Sequence, residues 1–545
     1  MVSIIPEHTT TRPASVCALS DAHASACSSS GHNASWTRRS PHAPRRSTSS
    51  STPAGCKDHE HTPNRSIIHI SKRSVAFPTE HGTLSARGKS FPDDFTTEDP
   101  PMSTHDMPKS GGSRRSFLAQ SAALAGVAMV GTQAGAKTIE AANILPTVKT
   151  RKGSTPKADE AIRMGIIGTG GMGGGHLHAF INMTNQGKCN AQIVAVCDVC
   201  DLKAEDARRV AEEKQDGVEV ASYRNYHDLL KRDDIHAVLI ASPEHWHAQH
   251  IIDALEAGKD VYTEKPMTLR LDQGLAVRRA IEKHSDRIFQ VGTQAIMQPK
   301  YNKARDVVKS GLIGTPVWSQ TSYCRNSTSG EWNYYGIDDR WEPGKNLDWN
   351  AWLGYLGPRE WDPLVYARWR RYKDFSTGII GDLLVHVMTP LIFSLDSGWP
   401  TRVVATGSHV IDKEMENHDQ VNLNVQFEDG HTMIIAGSTA NEVGLETMIR
   451  GHKANIYLNS RHVEVRPERI FVDDIESERI ECEDIGNDQD ALRLNWLECI
   501  RSRQPAKSNI DLASKVMVAV DLATRSMWEG HAFSFDPDKM RATKA

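Results

Sequence analysis

Short apolar runs and amphipathic stretches alternate along residues 162–291. The apolar runs have the length of buried strands and lie at 163–167, 191–197, 237–241, 260–263 and 288–291. The stretches between them have helical spacing and lie at 176–183, 203–214, 226–231, 248–257 and 271–283. Strands that alternate with helices in this way indicate a doubly wound parallel sheet, the arrangement of an α/β domain.

The alternation stops after Gln294, and strand patterns follow one another instead. These predicted strands lie at 403–406, 421–427, 432–436, 446–449 and 454–458. Because Glu428-Asp429-Gly430 can turn a hairpin between the second and third of them, the sheet should be mainly antiparallel. A helix at 490–501 is expected to cover one face and leave the other open for contact with another copy.

A chain of 545 residues is longer than one core usually supports, which is about 250 to 300 residues. We therefore predict an α/β domain at 161–293 and an α+β domain with an open sheet at 294–540. Residues 1–112 are rich in Ser, Thr, His, Pro and Arg without apolar periodicity, which predicts disorder. One interpretation is that residues 1–101 are an over-extended reading of the gene, with translation starting at Met102 or Met107.

The stretch 113–136 has a different character. Arg114 and Arg115 precede an uncharged run at 122–130 and then Ala134-Gly135-Ala136, an order that resembles a twin-arginine export signal. This resemblance implies a periplasmic or otherwise exported protein, the export machinery as a partner, and a linker at 137–160. The alternative is a chance arginine pair ahead of an Ala-rich linker.

Charge and cysteine content exclude several classes of function. The formal net charge is −4 with 24% charged residues, a balance that favours neither nucleic acid nor a membrane surface as a partner. The nine cysteines have no repeating spacing, so they predict no disulfide framework. Cys197 and Cys200 form a C-x-x-C without a second pair or a nearby histidine, and we therefore predict no metal site.

A G-x-G-x-x-G motif lies between the first predicted strand and the first predicted helix. It comprises Gly168, Thr169, Gly170, Gly171, Met172 and Gly173. In this context glycine permits the tight turn, the close approach of a pyrophosphate and the packing of helix on strand. The phosphates would lie at the helix N-terminus. We therefore predict a Rossmann domain that binds a nicotinamide dinucleotide.

Asp198 ends the second strand and bears on the choice of cofactor. A carboxylate there can accept hydrogen bonds from the ribose hydroxyls and repels a 2′-phosphate, so NAD is expected rather than NADP. Lys203 and Arg208 follow closely, and they keep NADP as the less favoured alternative.

Two further motifs carry a resemblance to a known family. Ser242-Pro243-Glu244-His245-Trp246-His247 follows the fourth strand and Glu264-Lys265-Pro266 follows the fifth. Together with the glycine motif they resemble the Gfo/Idh/MocA family, named for glucose–fructose oxidoreductase and inositol dehydrogenase. Three further stretches add to the resemblance: Val291 to Gln294, Trp369-Arg370 and Gly381-Asp382-x-x-x-His386. The resemblance covers about residues 162–535.

The resemblance implies a catalytic set of Lys265, Asp382 and His386. Lys265 precedes a proline, which disfavours the helical region and can direct its amine into the crevice beyond the strands. Asp382 and His386 are four apart at helical spacing and would project from one helix face, although spacing alone fits a stabilising pair equally well. His386 would be the base because its ordinary pKa lies near working pH.

The cofactor site implied by the resemblance includes the glycine motif, Asp198 and residues from both halves of the chain. The further members are Ser242, Pro243, His245, His247, Glu264, Lys265, Gln294, Trp369 and Arg370. A tryptophan-rich stretch at 318–369 could offer aromatic faces to a sugar ring, although ordinary packing should explain most of these residues.

The resemblance implies an NAD(P)-dependent oxidoreductase acting on CH–OH groups of a sugar, polyol or sugar derivative. One alternative is an NAD-dependent glycosidase or lyase that oxidises a sugar transiently, eliminates a substituent and reduces the product, with the dinucleotide held tightly. Another is a non-catalytic sugar-binding protein on the same scaffold, which would not need the Lys, Asp and His together. A homodimer or tetramer through the C-terminal sheet is also expected.

Overall fold

The computed structural model describes residues 144–545. The segments predicted as disordered (1–112) and as an export signal (113–136), and the first part of the predicted linker, lie outside the described residues. Within 144–545, no helix combines the length and the apolar character needed to cross a bilayer.

The first domain contains a six-stranded parallel sheet. Its strands are β1 (Ile162–Ile167), β2 (Ala191–Cys197), β3 (Ala221–Tyr223), β4 (Ala237–Ile240), β5 (Asp260–Thr263) and β6 (Phe289–Val291). The spatial order β3-β2-β1-β4-β5-β6 is that of a doubly wound sheet, which confirms the predicted Rossmann fold.

Five helices connect these strands. They are α1 (Gly171–Asn185), α2 (Asp201–Lys214), α3 (Tyr226–Leu230), α4 (Glu244–Glu256) and α5 (Leu271–Lys283). The central strands are apolar throughout because helices cover both faces of the sheet, and every residue of β4 is fully buried. Helix α4 begins four residues before the predicted 248, directly after Pro243, so His245 and His247 lie in its first turns and not in a loop.

The second domain is built on a ten-stranded sheet. Its strands are β7 (Pro316–Cys324), β8 (Pro400–Ser408), β9 (Gln420–Phe427), β10 (Thr432–Ser438), β11 (Met448–Gly451), β12 (Ala454–Tyr457), β13 (Val463–Pro467), β14 (Glu478–Ile480), β15 (Phe533–Asp536) and β16 (Arg541–Lys544). The order is β14-β13-β12-β11-β7-β10-β9-β8-β15-β16. All neighbours are antiparallel except β7 and β10, which are parallel, so the sheet is mixed and mainly antiparallel.

The helices of this domain are α6 (Pro299–Lys309), α7 (Trp349–Leu353), α8 (Pro363–Ala367), α9 (Val385–Leu395), α10 (Asp488–Ser502) and α11 (Ile510–Glu529). Helices α9 and α11 pack on one face of the sheet, where residues such as Val403, Leu423 and Met433 are buried. On the opposite face Val404, Asn424 and Ile434 form a row of neighbours across β8, β9 and β10. Val404 is 41% exposed and Ile434 36%, so this face is open.

Helix α10 packs elsewhere than the sequence suggested. The predicted helix at 490–501 was expected to cover the second sheet, and this expectation is wrong. Its apolar residues, Trp496 among them, join the core of the first domain. The Trp496 ring lies 5.5 Å from that of Tyr262 and 6.2 Å from that of Phe180, and Gln290 Nε2 donates to the Leu492 carbonyl at 2.9 Å. The helix therefore ties the two domains together.

This packing predicts a large loss of stability from Trp496→Ala. The substitution empties a fully buried position and should lower the free energy of unfolding by about 3 to 5 kcal/mol. Urea unfolding followed by circular dichroism measures the effect. Ile470→Ala, at a position that is 68% exposed, is the control and should change the free energy of unfolding by less than about 0.5 kcal/mol. A loss below about 1 kcal/mol for Trp496→Ala would contradict the described packing.

Candidate active site

A cavity of about 650 Å³ lies at the carboxyl edge of the parallel sheet. The loops after β1, β2, β4 and β5 form one side of it. The segment between Tyr335 and Arg370, from the second domain, forms the other side. Ligands of open parallel sheets bind at this edge, so the cavity is the candidate cofactor and substrate site.

The glycine motif forms the floor of the cavity. Gly168 has a φ of +86°, and a Cβ there would lie 2.6 Å from the Ser242 nitrogen. A Cβ on Gly173 would lie 1.9 Å from the Gly168 carbonyl oxygen, whereas nothing lies within 4 Å of one on Gly170. The turn and the helix packing thus require glycine, and Gly170 leaves open space where a pyrophosphate would approach. Of this motif, Gly168, Gly170, Gly171 and Met172 line the cavity, while Thr169 and Gly173 are packed beneath it.

Asp198 lies at the cavity edge beside the glycine turn. Its carboxylate accepts hydrogen bonds from the backbone N–H groups of Thr169 and Cys200, both at 2.9 Å. The nearby cations are already engaged. Lys203 donates to the Tyr366 hydroxyl at 2.9 Å, and Arg224 pairs with Asp201. An acid held in this position repels a 2′-phosphate and therefore fits NAD better than a 2′-phosphorylated cofactor.

The two histidines after β4 occupy different surroundings. The ring nitrogens of His247 lie 2.7 Å from the carbonyl oxygens of Ser242 and Pro266, so His247 joins the loops after β4 and β5 and lines the cavity. His245 is 1% exposed, lies outside the cavity lining and donates from Nε2 to the Trp352 carbonyl at 2.8 Å. Burial lowers the pKa of His245 to about 4. His245 therefore anchors the second domain.

Lys265 lines the cavity and bonds to Asp382, which lies behind it and is not part of the lining. Lys265 Nζ donates to Asp382 Oδ1 and to its carbonyl oxygen, both at 2.8 Å. Arg370 Nε donates to the same Oδ1 at 2.9 Å, and Trp332 Nε1 donates to Oδ2 at 3.2 Å. Burial alone would raise the pKa of Asp382, but the charges of Lys265 and Arg370 hold it well below its usual range. Asp382 is therefore a fixed negative charge.

Glu264 is a second fixed carboxylate beside Lys265. Arg493 Nε donates to His176 Nδ1 at 3.0 Å, so the proton of His176 is on Nε2, which donates to Glu264 Oε1 at 2.7 Å. Burial opposes ionisation of Glu264, yet the hydrogen bond from His176 and the Lys265 charge lower its pKa to about 2. Glu264 lines the cavity as a carboxylate.

His386 does not lie where regular α-helical spacing would put it relative to Asp382. Ile380–Leu384 forms a π-helix and α9 begins only at Val385, so the assumption of one continuous α-helix face is wrong. His386 Nδ1 is buried without a hydrogen-bond partner among residues 144–545, and the Tyr323 ring lies 6.2 Å away. Burial and the Lys265 charge lower the pKa of His386 to about 3. This pKa lies far below the ordinary value on which the choice of His386 as the base was based, and His386 is not part of the cavity lining.

The remaining predicted cofactor residues divide into two groups. Ser242, Pro243, Trp369 and Arg370 line the cavity. Gln294 begins a 3₁₀ turn, Gln294–Met297, and is not part of the cavity lining.

The tryptophan-rich stretch forms a small core of its own for the most part. Trp349 and Trp352 are buried together with Cys200 of the first domain, and other aromatic residues pack around them. Trp341, Trp352 and Trp369 also line the cavity. The expectation that ordinary packing explains most of these residues agrees with this arrangement.

Sequence reasoning missed two buried groups beside the site. Glu244 is fully buried at the start of α4 and accepts hydrogen bonds from Ser376 Oγ at 2.6 Å and from the Thr377 N–H at 3.1 Å. Burial raises its pKa to about 7. An acid in the first turn of a helix was a readable signal for Glu244. Nothing in the sequence distinguished Trp332, the other missed group, from its neighbouring tryptophans.

Two family models match consecutive parts of the chain. The NAD-binding Rossmann fold of the Gfo/Idh/MocA oxidoreductases matches residues 162–293, and their C-terminal alpha/beta domain matches residues 297–545. The chain belongs to the Gfo/Idh/MocA oxidoreductase family. Its first domain is therefore an NAD-binding domain, as the glycine motif and Asp198 predicted.

Curated relatives are similar over part of their length. The chain is 30% identical over 155 residues to inositol 2-dehydrogenase/D-chiro-inositol 3-dehydrogenase of Lactiplantibacillus plantarum, which is 28% of this chain and 42% of the relative. It is 33% identical over 183 residues to inositol 2-dehydrogenase of Rubrobacter xylanophilus, which is 32% of this chain and 48% of the relative. The chain thus matches a little under half the length of each.

Solved structures share the fold across both domains. Levoglucosan dehydrogenase in complex with NADH and levoglucosan has a TM-score of 0.53 at 18% identity, over 71% of this chain and 99% of that one. The myo-inositol 2-dehydrogenase from Lactobacillus plantarum has a TM-score of 0.51 at 17% identity, over 69% of this chain and 100% of that one. At these identities the likeness shows the fold.

The buried neutral histidines predict a loss of stability in mild acid. His245 has a pKa of about 4 in the folded chain, below the ordinary 6.5, so the unfolded chain binds the proton first as pH falls. The free energy of unfolding should fall between pH 6.5 and 4, by about 3 kcal/mol from this residue alone. Urea unfolding at several pH values measures the slope.

His245→Gln keeps a donor for the Trp352 carbonyl and should flatten that slope. The control is His178→Gln at an exposed position, which should leave the slope as it is in the unaltered chain. Equal slopes for His245→Gln and the unaltered chain would show that the pKa of His245 is the same in the folded and unfolded chain, and would contradict this prediction.

Proposed function

We propose that this chain is an NAD-dependent dehydrogenase that oxidises a CH–OH group of a sugar or cyclic polyol. The observation that carries the proposal is the Lys265 amine, which lines the cofactor cavity and is held by the buried Asp382 carboxylate. Relatives named inositol 2-dehydrogenase and a neighbour in complex with NADH and levoglucosan support a polyol or sugar as the substrate class.

The residues present fit a bound NAD. Gly170 leaves open space at the start of α1, Asp198 is available to the ribose hydroxyls, and the aromatic wall from the second domain faces them across the cavity. The chemistry that NAD supplies when bound is a hydride acceptor. The residues of the chain have to hold the substrate carbinol next to the bound NAD and accept the hydroxyl proton.

Each of the three residues has a distinct role in this proposal. His386 accepts the hydroxyl proton, since its buried Nδ1 has no hydrogen-bond partner among residues 144–545 and can accept. Lys265 donates a hydrogen bond to the reacting oxygen and stabilises the negative charge that develops there. Asp382 fixes the Lys265 amine and orients the substrate hydroxyl.

A second candidate is redox-neutral chemistry on a sugar, with transient oxidation, elimination and reduction. The second domain lines one side of the cavity with Trp341, Trp352 and Tyr366, and this segment also bonds to the first domain through Asp348 N–H to the Val199 carbonyl at 2.9 Å. A cofactor held between the two domains would exchange slowly. Retention suits a reaction that regenerates its own cofactor.

Two further proposals concern the surroundings of the chain. The exposed row of Val404 and Ile434 on the second sheet supports a homodimer or tetramer through that face. The order of features at 113–136 supports export by the twin-arginine route to the periplasm or beyond.

Lys265→Met should abolish most of the turnover because it removes the donor to the reacting oxygen. We expect kcat/KM to fall about 10²- to 10³-fold in an assay of NAD reduction with a panel of inositols, sugars and sugar alcohols. Lys300→Met is the control, because Lys300 is a partly buried lysine that donates to the Leu458 carbonyl outside the cavity. Failure of the unaltered chain to reduce NAD with any member of the panel would argue against the dehydrogenase.

Retention of the cofactor separates the two candidate functions. The chain from Lys137 onward is purified without added nucleotide and denatured, and mass spectrometry counts the dinucleotide that is released. About one NAD per chain would support an enclosed cofactor and redox-neutral chemistry. A chain that releases none favours a dehydrogenase that exchanges NAD with solution.

A further inference from the structure

Trp332 has an unusual backbone conformation for a large residue. It lies in the connection between β7 and α7 with a φ of +61°, in the left-handed region that L-residues with a Cβ rarely adopt. Its side chain is nevertheless 1% exposed. A residue held in this region persists only when its surroundings enforce it, and such residues concentrate at functional sites.

The indole of Trp332 completes the set of donors around Asp382. Oδ1 accepts from Lys265 and Arg370, whereas Oδ2 accepts from Trp332 Nε1 at 3.2 Å. Lys265 and Arg370 act on one oxygen only. The Trp332 N–H therefore fixes the rotation of the carboxylate and keeps Oδ1 turned towards Lys265.

Hydrogen bonds and an ion pair from residues next to the site hold the turn that carries Trp332. Glu331 is 2% exposed and accepts from Arg325 Nη1 at 3.0 Å and from the Tyr334 hydroxyl at 2.8 Å. Arg371 Nη1 donates to the Glu331 carbonyl at 3.0 Å and also pairs with Asp412.

Arg371 directly follows Arg370, which itself bonds to Asp382. One short 3₁₀ turn, Trp369–Arg371, therefore bonds both to the Asp382 carboxylate and to the loop that carries Trp332.

We infer that Trp332 is a positioning residue: its indole N–H fixes the Asp382 carboxylate so that Lys265 points at the reacting oxygen. The inference rests on the proposed dehydrogenase function for its effect on turnover. The contact between Trp332 and Asp382 does not depend on that function and can be tested separately.

The first test observes the contact in solution. The chain contains 12 tryptophans, so labelling with ¹⁵N-tryptophan gives a small set of indole N–H signals, in which Trp332→Phe identifies the Trp332 signal by its loss. Asp382→Asn removes the charge of the acceptor and should shift the Trp332 signal more than that of Trp496, whose indole nitrogen has no partner among the described residues. A Trp332 signal that does not respond overturns the inference, whatever the substrate is.

The second test measures the effect on catalysis. Trp332→Phe removes the N–H and leaves Oδ2 without its donor, so kcat should fall about tenfold while the KM for NAD changes less than about twofold. Trp496→Phe is the matched control, because it makes the same change at a fully buried site where no hydrogen bond is lost. It should lower stability without lowering kcat. Equal kcat values for the two variants overturn the inference.

A third variant covers the case in which Trp332→Phe does not fold. Glu331→Gln weakens the hydrogen bonds that hold the turn and keeps the indole, so it should lower kcat in the same direction as Trp332→Phe. An unchanged kcat in this variant overturns the inference. If the unaltered chain oxidises no sugar or polyol, the proposed function fails, and the response of the indole signal to Asp382→Asn alone decides the contact.

Discussion

The buried carboxylate of Asp382 is the interaction on which the arrangement of the site depends. A charge that is only 6% exposed is costly unless it is paired, and here Lys265 comes from the loop after β5 whereas Arg370 and Trp332 come from the second domain. The two domains must therefore meet in one relative position for the carboxylate to be satisfied. Helix α10 also ties the second domain to the first, because Trp496 lies in the core of the first domain.

The site separates fixed charges from neutral rings. Asp382 and Glu264 are held ionised by the cations and hydrogen bonds around them, and neither is suited to carry a proton in turnover. Burial keeps His386 neutral, and the Lys265 charge reinforces this. In the proposed mechanism the proton is accepted by His386, whose buried Nδ1 has no hydrogen-bond partner among residues 144–545. The division between fixed charges and neutral rings follows from burial and from the charges around each group.

Sequence patterns predicted local elements well and long-range contacts poorly. The helix Leu271–Lys283 and the strand Asp260–Thr263 have the predicted bounds, because amphipathic spacing and apolar runs are local signals. Two features depend on contacts between segments far apart in the sequence: the parallel pairing of β7 with β10 and the packing of α10 on the first domain. No local pattern encodes such contacts. The π-helix at Ile380–Leu384 and the left-handed Trp332 are local departures from regular geometry that no periodic sequence pattern encodes.

The position of Lys265, Asp382 and His386 in the chain was recoverable from motifs, but their chemistry was not. Spacing placed Asp382 and His386 near each other, yet their protonation depends on burial and on Arg370, Trp332 and Glu264, which lie far apart in the sequence. An ordinary histidine pKa suggested a titrating base, whereas burial keeps His386 neutral near the Lys265–Asp382 ion pair. In the proposed mechanism the properties of these groups are set by the residues that desolvate and constrain them. The loop that presents Trp332 therefore belongs to the site as much as the residues that the motifs identify.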